Sequence, residues 1–354
     1  MRITVVNVAA DSGGALSVLK DFHAAVELDA ANEWTFLLST PALRSSSNIS
    51  VMRFPWIKKS LPHRLWFEYV TAPRVIRALN PDVVLSLQNV VVPRLANKQV
   101  VYLHQSLPFS RFTFDPRKSL RMWFYQKSIS QRIRRNLHKA DRVIVQATWM
   151  KEAVVKHCSL PSSKIAVVRP SATPSDADPY EASPKNRRRF FYPASDLEYK
   201  NHAVIHSAVD QLNRAGIENF EVLLTISERD AIREAANTSG CIRYVGRMDL
   251  PAVQQQYASA VLIFPSIVET VGLPLLEARQ ACTFVIASDL AYAREALGDY
   301  RNAFYFQPTA ADQLAELMAA IMTGELPHYP DSSRVDDVND SWTELIEIVL
   351  GAAS

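Results

Sequence analysis

The feature that most constrains this chain is an alternation of short β-branched runs with amphipathic helical stretches, which occurs twice and is interrupted once by a proline-rich segment. In the first half the apolar runs fall at 2–8, 34–39, 50–54, 82–87, 99–104, 142–146 and 164–168. Helical periodicity is clearest between them at 15–27, 63–79, 117–139 and 148–157. Near-continuous hydrophobic strands separated by helices predict a parallel sheet covered on both faces. Pro170, Pro174, Pro179 and Pro184 then fall in a stretch without periodicity, which marks a linker. The second half repeats the theme, with strands at 189–193, 220–226, 242–245, 261–264, 283–287 and 303–306. Its helical patterns lie at 201–215, 228–237, 250–259, 274–282, 290–297 and 309–323, with a last helix at about 340–352. The predicted class is α/β, with two doubly wound domains facing across a cleft. The N-terminal domain is expected over 1–171, the linker over 172–187 and the C-terminal domain over 188–335, leaving 336–354 for a helix free to pack back across the domains. Two domains also follow from length, because single cores stop growing at roughly 250–300 residues and this chain has 354.

Composition excludes several classes. With 48% hydrophobic residues, 9 Gly and 20 Pro, the chain is neither collagen-like nor disordered. Cys158, Cys241 and Cys282 are odd in number and far apart, so free thiols in a reducing compartment are expected. The first ten residues are broken by Asn7 and stopped by Asp11, short of a signal sequence, and no run approaches a membrane span. A cytoplasmic location is the expectation. The net charge of +3 hides an asymmetry: residues 1–184 hold 25 Lys/Arg against 13 Asp/Glu, while the remainder holds 14 against 23. The densest basic window, 117–142, has nine Lys/Arg and a single acid, Asp141, interleaved with Leu120, Met122, Trp123, Phe124, Tyr125, Ile129, Ile133 and Leu137. That pattern is a basic amphipathic helix. No nucleic-acid recognition motif accompanies it, and the acidic half opposes such binding.

Chemistry concentrates after the strand 261–264, in Pro265-Ser-Ile-Val-Glu269-Thr-Val-Gly272-Leu-Pro274-Leu-Leu-Glu277-Ala. Pro274 suits the first turn of a helix, so the amides of 270–273 converge on a helix N-terminus where a diphosphate fits. Glu269 on the loop and Glu277 in the first helical turn can bracket a hydroxyl-rich ligand, since carboxylates accept several O–H bonds. Each glutamate taken alone reads equally well as an ordinary loop or helix-start residue. Gly13 and Gly14 follow the first strand and open a helix, a second place for backbone to approach phosphate. His104 ends the strand 99–104, at the edge where ligands sit in such sheets. Asp176-Ala-Asp178 has the form of a metal-binding DxD but lies in the linker, where it reads as solvated loop.

The Glu269-x7-Glu277 block, E-T-V-G-L-P-L-L-E-A, resembles that of the retaining, GT-B-fold nucleotide-sugar glycosyltransferases of family 4, and the resemblance extends over essentially the whole chain. It implies two Rossmann-like domains and no metal or other cofactor. It also implies that Glu269 contacts donor-sugar hydroxyls, that Thr270, Val271, Gly272 and Leu273 hold the diphosphate, and that Glu277 binds the ribose. Lys200, in Tyr192-Pro-Ala-Ser-Asp-Leu-Glu-Tyr-Lys200, matches the family's phosphate-neutralising lysine, and His104 its histidine facing the donor sugar. Many members pair that lysine with an arginine a few residues earlier, where this chain has Ala194 and Ser195; Arg247 is the candidate substitute. The implied activity is retaining transfer from a nucleotide diphosphate sugar to a lipid-linked or glycan acceptor in bacterial surface-polysaccharide assembly. Helix 117–139 would then dock on the anionic inner face of the membrane. The missing arginine keeps one alternative open, a non-catalytic sugar-nucleotide-binding or scaffold subunit of a membrane complex.

Overall fold

A computed structural model describes every residue except 12, 118, 171, 173, 174, 176, 228–239, 331–340 and 354. The described residues form two compact units, dividing between Arg169 and Pro170, and the terminal helix belongs with the first. The helix predicted at 228–237 and Asp176 of the DxD sequence lie outside the described residues.

Unit 1 is a seven-stranded sheet of β1 (Arg2–Asn7), β2 (Glu33–Leu38), β3 (Ile49–Arg53), β4 (Val83–Ser86), β5 (Lys98–Leu103), β6 (Arg142–Val145) and β7 (Ile165–Val167). Every pairing is parallel, in the order β3-β2-β1-β4-β5-β6-β7. β1 pairs on one side with β2 (Val5 opposite Phe36) and on the other with β4 (Val5 opposite Leu85), so the strand order reverses there. The helices are α1 (Gly13–Glu27), α2 (Leu61–Trp66), α3 (Ala72–Leu79), α4 (Leu120–Leu137) and α5 (Thr148–Cys158). One core layer joins Phe22 of α1 to Trp34, Phe36, Leu85 and Tyr102 of the sheet. The terminal helix, Ser341–Ala353, closes that layer through Leu345 and Val349, with the Trp342 ring 5.5 Å from Phe22.

Unit 2 is a six-stranded parallel sheet of β8 (Arg189–Tyr192), β9 (Glu221–Leu224), β10 (Ile242–Tyr244), β11 (Val261–Phe264), β12 (Val285–Ser288) and β13 (Ala303–Phe306), ordered β10-β9-β8-β11-β12-β13. Its described helices are α6 (His202–Arg214), α7 (Leu250–Tyr257), α8 (Leu273–Gln280), α9 (Ala291–Leu297) and α10 (Ala311–Thr323); α11 is the terminal helix of unit 1. The order reverses between β8 and β11, which opens a crevice at their carboxyl ends.

Two helices of unit 1 differ most from their sequence reading. The single helix expected over 63–79 is α2 and α3 joined by a π turn, Phe67–Thr71. Pro73 has no N–H to donate one turn back, and the Ala72 N–H reaches instead to the carbonyl of Phe67, five residues earlier. The basic helix is α4, capped by Ser119, whose Oγ accepts the Met122 N–H at 3.3 Å. Ile133 and Leu137 of its second half are buried apolar anchors, Gln126 of its first half is buried against the backbone of Phe112 and Phe114, and Leu120, Phe124 and Tyr125 are exposed. Cys158, Cys241 and Cys282 are free thiols, and no described helix is long and apolar enough to cross a membrane.

Candidate active site

The two loops that flank the unit 2 crevice are stitched to each other. After β8, the Tyr192 phenol donates to the Lys200 carbonyl at 2.9 Å, and His202 Nε2 donates to the Ser195 carbonyl at 2.8 Å, folding 193–200 into a compact turn. Asn201 then takes a left-handed conformation (φ 59°), and its side-chain amide donates to the carbonyls of Pro265 (3.2 Å) and Pro308 (2.8 Å). After β11, the Ile267 N–H donates to the Tyr199 carbonyl at 2.7 Å, and the buried Tyr292 phenol holds the Ser266 carbonyl at 2.6 Å. These bonds bring Lys200 Nζ to 2.5 Å from Glu269 Oε1, with the side chains 18% and 16% exposed. Burial and the charge of Glu269 push the Tyr192 and Tyr292 phenols well above their usual range, so both remain O–H donors.

The chain enters α8 through Gly272, at φ 78°, a conformation that costs an L side chain about 1–2 kcal/mol. A Cβ there would also lie 3.2 Å from both Phe264 Cε1 and Leu275 Cδ1. Glycine therefore lets the loop turn closely over the end of β11. Pro274 sits in the first turn as expected, but the helix already begins at Leu273, since the Leu275 N–H closes on the Gly272 carbonyl at 2.8 Å. Glu277 is consequently the fifth helical residue and not part of the first turn, and burial pushes its carboxyl up. Val271 and Gly272 are buried, Thr270 is partly buried and Leu273 is exposed.

In unit 1, Gly13 and Gly14 are the first residues of α1 rather than a loop before it. Lys58 reaches the turn that precedes them, pairing with Asp11 at 2.8 Å and donating to the Ala9 carbonyl at 3.2 Å. His104 follows β5 and is clasped by Asn89, itself left-handed (φ 67°), in the loop after β4. The His104 N–H donates to Asn89 Oδ1 at 2.8 Å, which turns the Asn89 amide nitrogen toward His104 Nε2 at 3.3 Å. Nε2 accepts, so the ring proton sits on Nδ1, which is buried without a hydrogen-bond partner among the described residues. Burial lowers the His104 pKa to about 4, leaving a neutral N–H donor at neutral pH.

Residues 176–334 match the family described as Glycosyl transferases group 1, and residues 28–176 match Glycosyltransferase Family 4. The chain belongs to the GT-B glycosyltransferases of the family 4 type. No curated protein matches it. Among solved structures, WaaG, a glycosyltransferase involved in lipopolysaccharide biosynthesis, is similar at TM-score 0.69 and 14% identity, covering 99% of this chain and 100% of that one. The lipopolysaccharide outer core galactosyltransferase WaaB is similar at 0.67 and 18%, covering 99% of each. HepE of Anabaena, solved in complex with UDP-glucose, is similar at 0.63 and 14%, covering 100% of this chain and 98% of that one.

Within this glycosyltransferase the structure joins Lys200 to Glu269 and sets Gly272 and Glu277 on the same loop and helix. Ser195 is exposed and meets the site through its carbonyl. Arg247 is exposed beyond β10, behind Gly246 (φ 70°), and makes no ion pair with Glu269 or Glu277. Sequence reasoning missed Asn89, Tyr199, Asn201 and Tyr257. Of these only Asn89 and Asn201 carried a signal, since asparagine is the residue besides glycine that most readily turns left-handed.

Proposed function

We propose that this glycosyltransferase transfers a sugar from a nucleotide diphosphate sugar to a lipid-linked or glycan acceptor, with retention, in surface-polysaccharide assembly. The observation that carries the reading is the Lys200–Glu269 pair, held in the β8/β11 crevice beside the start of α8. An anionic diphosphate suits the lysine and the helix-start amides. The Glu269 carboxylate suits sugar hydroxyls and Glu277 suits the ribose. The C1–O bond to the diphosphate breaks as the acceptor oxygen bonds to C1 on the same face, and the acceptor proton passes to the departing phosphate oxygen. Lys200 and the amides stabilise the charge that develops there, so no resident metal is part of the proposal. Incubation of donor with lipid-linked acceptors, followed by NMR of the product, tests this. The expected product keeps the donor's anomeric configuration. An inverted product overturns retention, and nucleotide binding with neither transfer nor hydrolysis favours the scaffold reading.

The acceptor side of the proposal is a membrane surface. Leu120, Phe124 and Tyr125 of α4 are exposed, as are Leu61, Leu65, Trp66 and Tyr69 of the segment beginning at α2, and Arg121, Lys127 and Arg135 are exposed cations. Arg132 pairs with Glu68 and Arg134 donates to the Pro108 carbonyl, so these two arginines serve the fold. Flotation with vesicles containing phosphatidylglycerol is the check. With each cation near an anionic surface adding about 1 kcal/mol, Arg121→Glu, Lys127→Glu and Arg135→Glu together are expected to weaken binding by about 10²-fold or more. Equal flotation of wild type and variant contradicts the membrane reading.

A further inference from the structure

Tyr257 and Glu277 form a pair that connects α7 to α8. Tyr257 ends α7 and is 1% exposed. Its ring packs edge-on against Phe191 of β8 at 5.9 Å, and its carbonyl accepts the Thr283 hydroxyl at 2.5 Å. Fixed in this way, the phenol donates to Glu277 Oε2 at 2.8 Å. Glu277 Oε1 makes no hydrogen bond to a described residue. Burial pushes the Glu277 carboxyl up, and donation from Tyr257 opposes that rise by favouring the ionised form. Burial, with the charge of Glu277 beside it, keeps the Tyr257 phenol protonated.

We infer that Tyr257 is a positioning residue for the nucleotide, holding Glu277 Oε2 so that the other carboxylate oxygen is presented to the ribose hydroxyls of a nucleoside diphosphate. The inference rests on the reading of Glu277 as the ribose ligand. A glutamate carboxylate otherwise turns freely about a broad terminal torsion, and one fixed oxygen removes that freedom before the ligand arrives. Each ribose O–H then meets an oriented, charged acceptor. A bond that merely ties α7 to α8 would lower the melting temperature when removed and leave the preference for ribose unchanged.

The test is calorimetric titration of the full chain with UDP, GDP, ADP and CDP and with their 2′,3′-dideoxy forms, on wild type, Tyr257→Phe, Glu277→Gln and the double variant. Wild type is expected to bind at least one diphosphate about tenfold or more tightly than its dideoxy form, the worth of a charge-assisted hydrogen bond. Tyr257→Phe is expected to weaken the ribose form about tenfold and the dideoxy form by less than about twofold. Donor KM should rise in step while kcat stays within about twofold, and Tyr257→Phe should add less than about twofold once Glu277 is glutamine. If wild type does not distinguish ribose from dideoxyribose, the reading of Glu277 falls and the role of Tyr257 with it. If wild type and Tyr257→Phe distinguish them equally, Glu277 keeps its role and the positioning role of Tyr257 is overturned, whatever the melting temperature does.

Discussion

Lys200→Met is expected to lower kcat by about 10²–10³-fold at saturating donor, the range found when one preorganised charge-stabilising group is removed. Lys200 is the cation that the unit 2 crevice holds against Glu269, and both side chains are largely withdrawn from water, where a charge acts more strongly than in bulk solvent. In the proposed reaction negative charge accumulates on the departing diphosphate as the C1–O bond breaks, and the Lys200 ammonium is assigned to meet it. Methionine keeps the length and apolar stem of lysine and removes the charge. Lys200→Arg restores the charge but not the compact ammonium geometry, so a partial recovery is expected. Steady-state transfer or donor hydrolysis measures both. A Lys200→Met enzyme within about threefold of wild-type kcat would remove Lys200 from the catalytic account.

Glu68→Ala is expected to destabilise unit 1 by about 2–4 kcal/mol, somewhat below the 3–5 kcal/mol typical of a fully buried pair. The Glu68 carboxylate is 3% exposed in the π turn between α2 and α3. Oε1 accepts Arg64 Nε at 3.1 Å, and Oε2 pairs with Arg132 of α4. Removing it strands Arg132, 29% exposed, against an apolar wall that includes Phe67, Val91 and Val92. Both guanidiniums keep some access to water, which is why the loss falls short of the fully buried case. At about 2–4 °C per kcal/mol for a domain of this size, the melting temperature of unit 1 should fall by roughly 5–15 °C. Glu68→Gln, which keeps an acceptor, should fall less. A melting temperature within about a degree of wild type for Glu68→Ala would show that the pair does not anchor α4.

The periodicity is enough to predict β1 to β13, most plainly for β4, β11 and β12, because fully buried parallel strands are continuous apolar runs that need no partner to be read. The block around Glu269 was equally legible, since Gly272 and Pro274 carry local backbone requirements in their own identities. Contacts between distant segments left no such trace. Tyr257 looks like any aromatic on an amphipathic helix, and only the packing of α7 against α8 sets its hydroxyl on Glu277, twenty residues away. Arg132 and Arg134 read as surface charge in the sequence, but the fold gives one a buried carboxylate and the other a carbonyl. The break at 67–71 was signalled by Pro73, a residue a helical period tolerates at a helix start but not in its middle. The start of α8 at Leu273 made Glu277 the fifth helical residue instead of the fourth, a one-residue shift beyond the resolution of periodicity.

The central claim is that unit 2 holds a nucleotide diphosphate sugar through Lys200, Glu269 and Glu277. Its most direct measurement is calorimetric titration of the intact protein with UDP-, GDP-, ADP-, CDP- and dTDP-sugars, with EDTA and then with Mg²⁺, on wild type, Lys200→Met and Glu269→Gln. One base class is expected to bind wild type with or without Mg²⁺, and each substitution is expected to weaken that binding by about tenfold or more. Absence of binding at millimolar concentration, or equal binding by wild type and both variants, would contradict it.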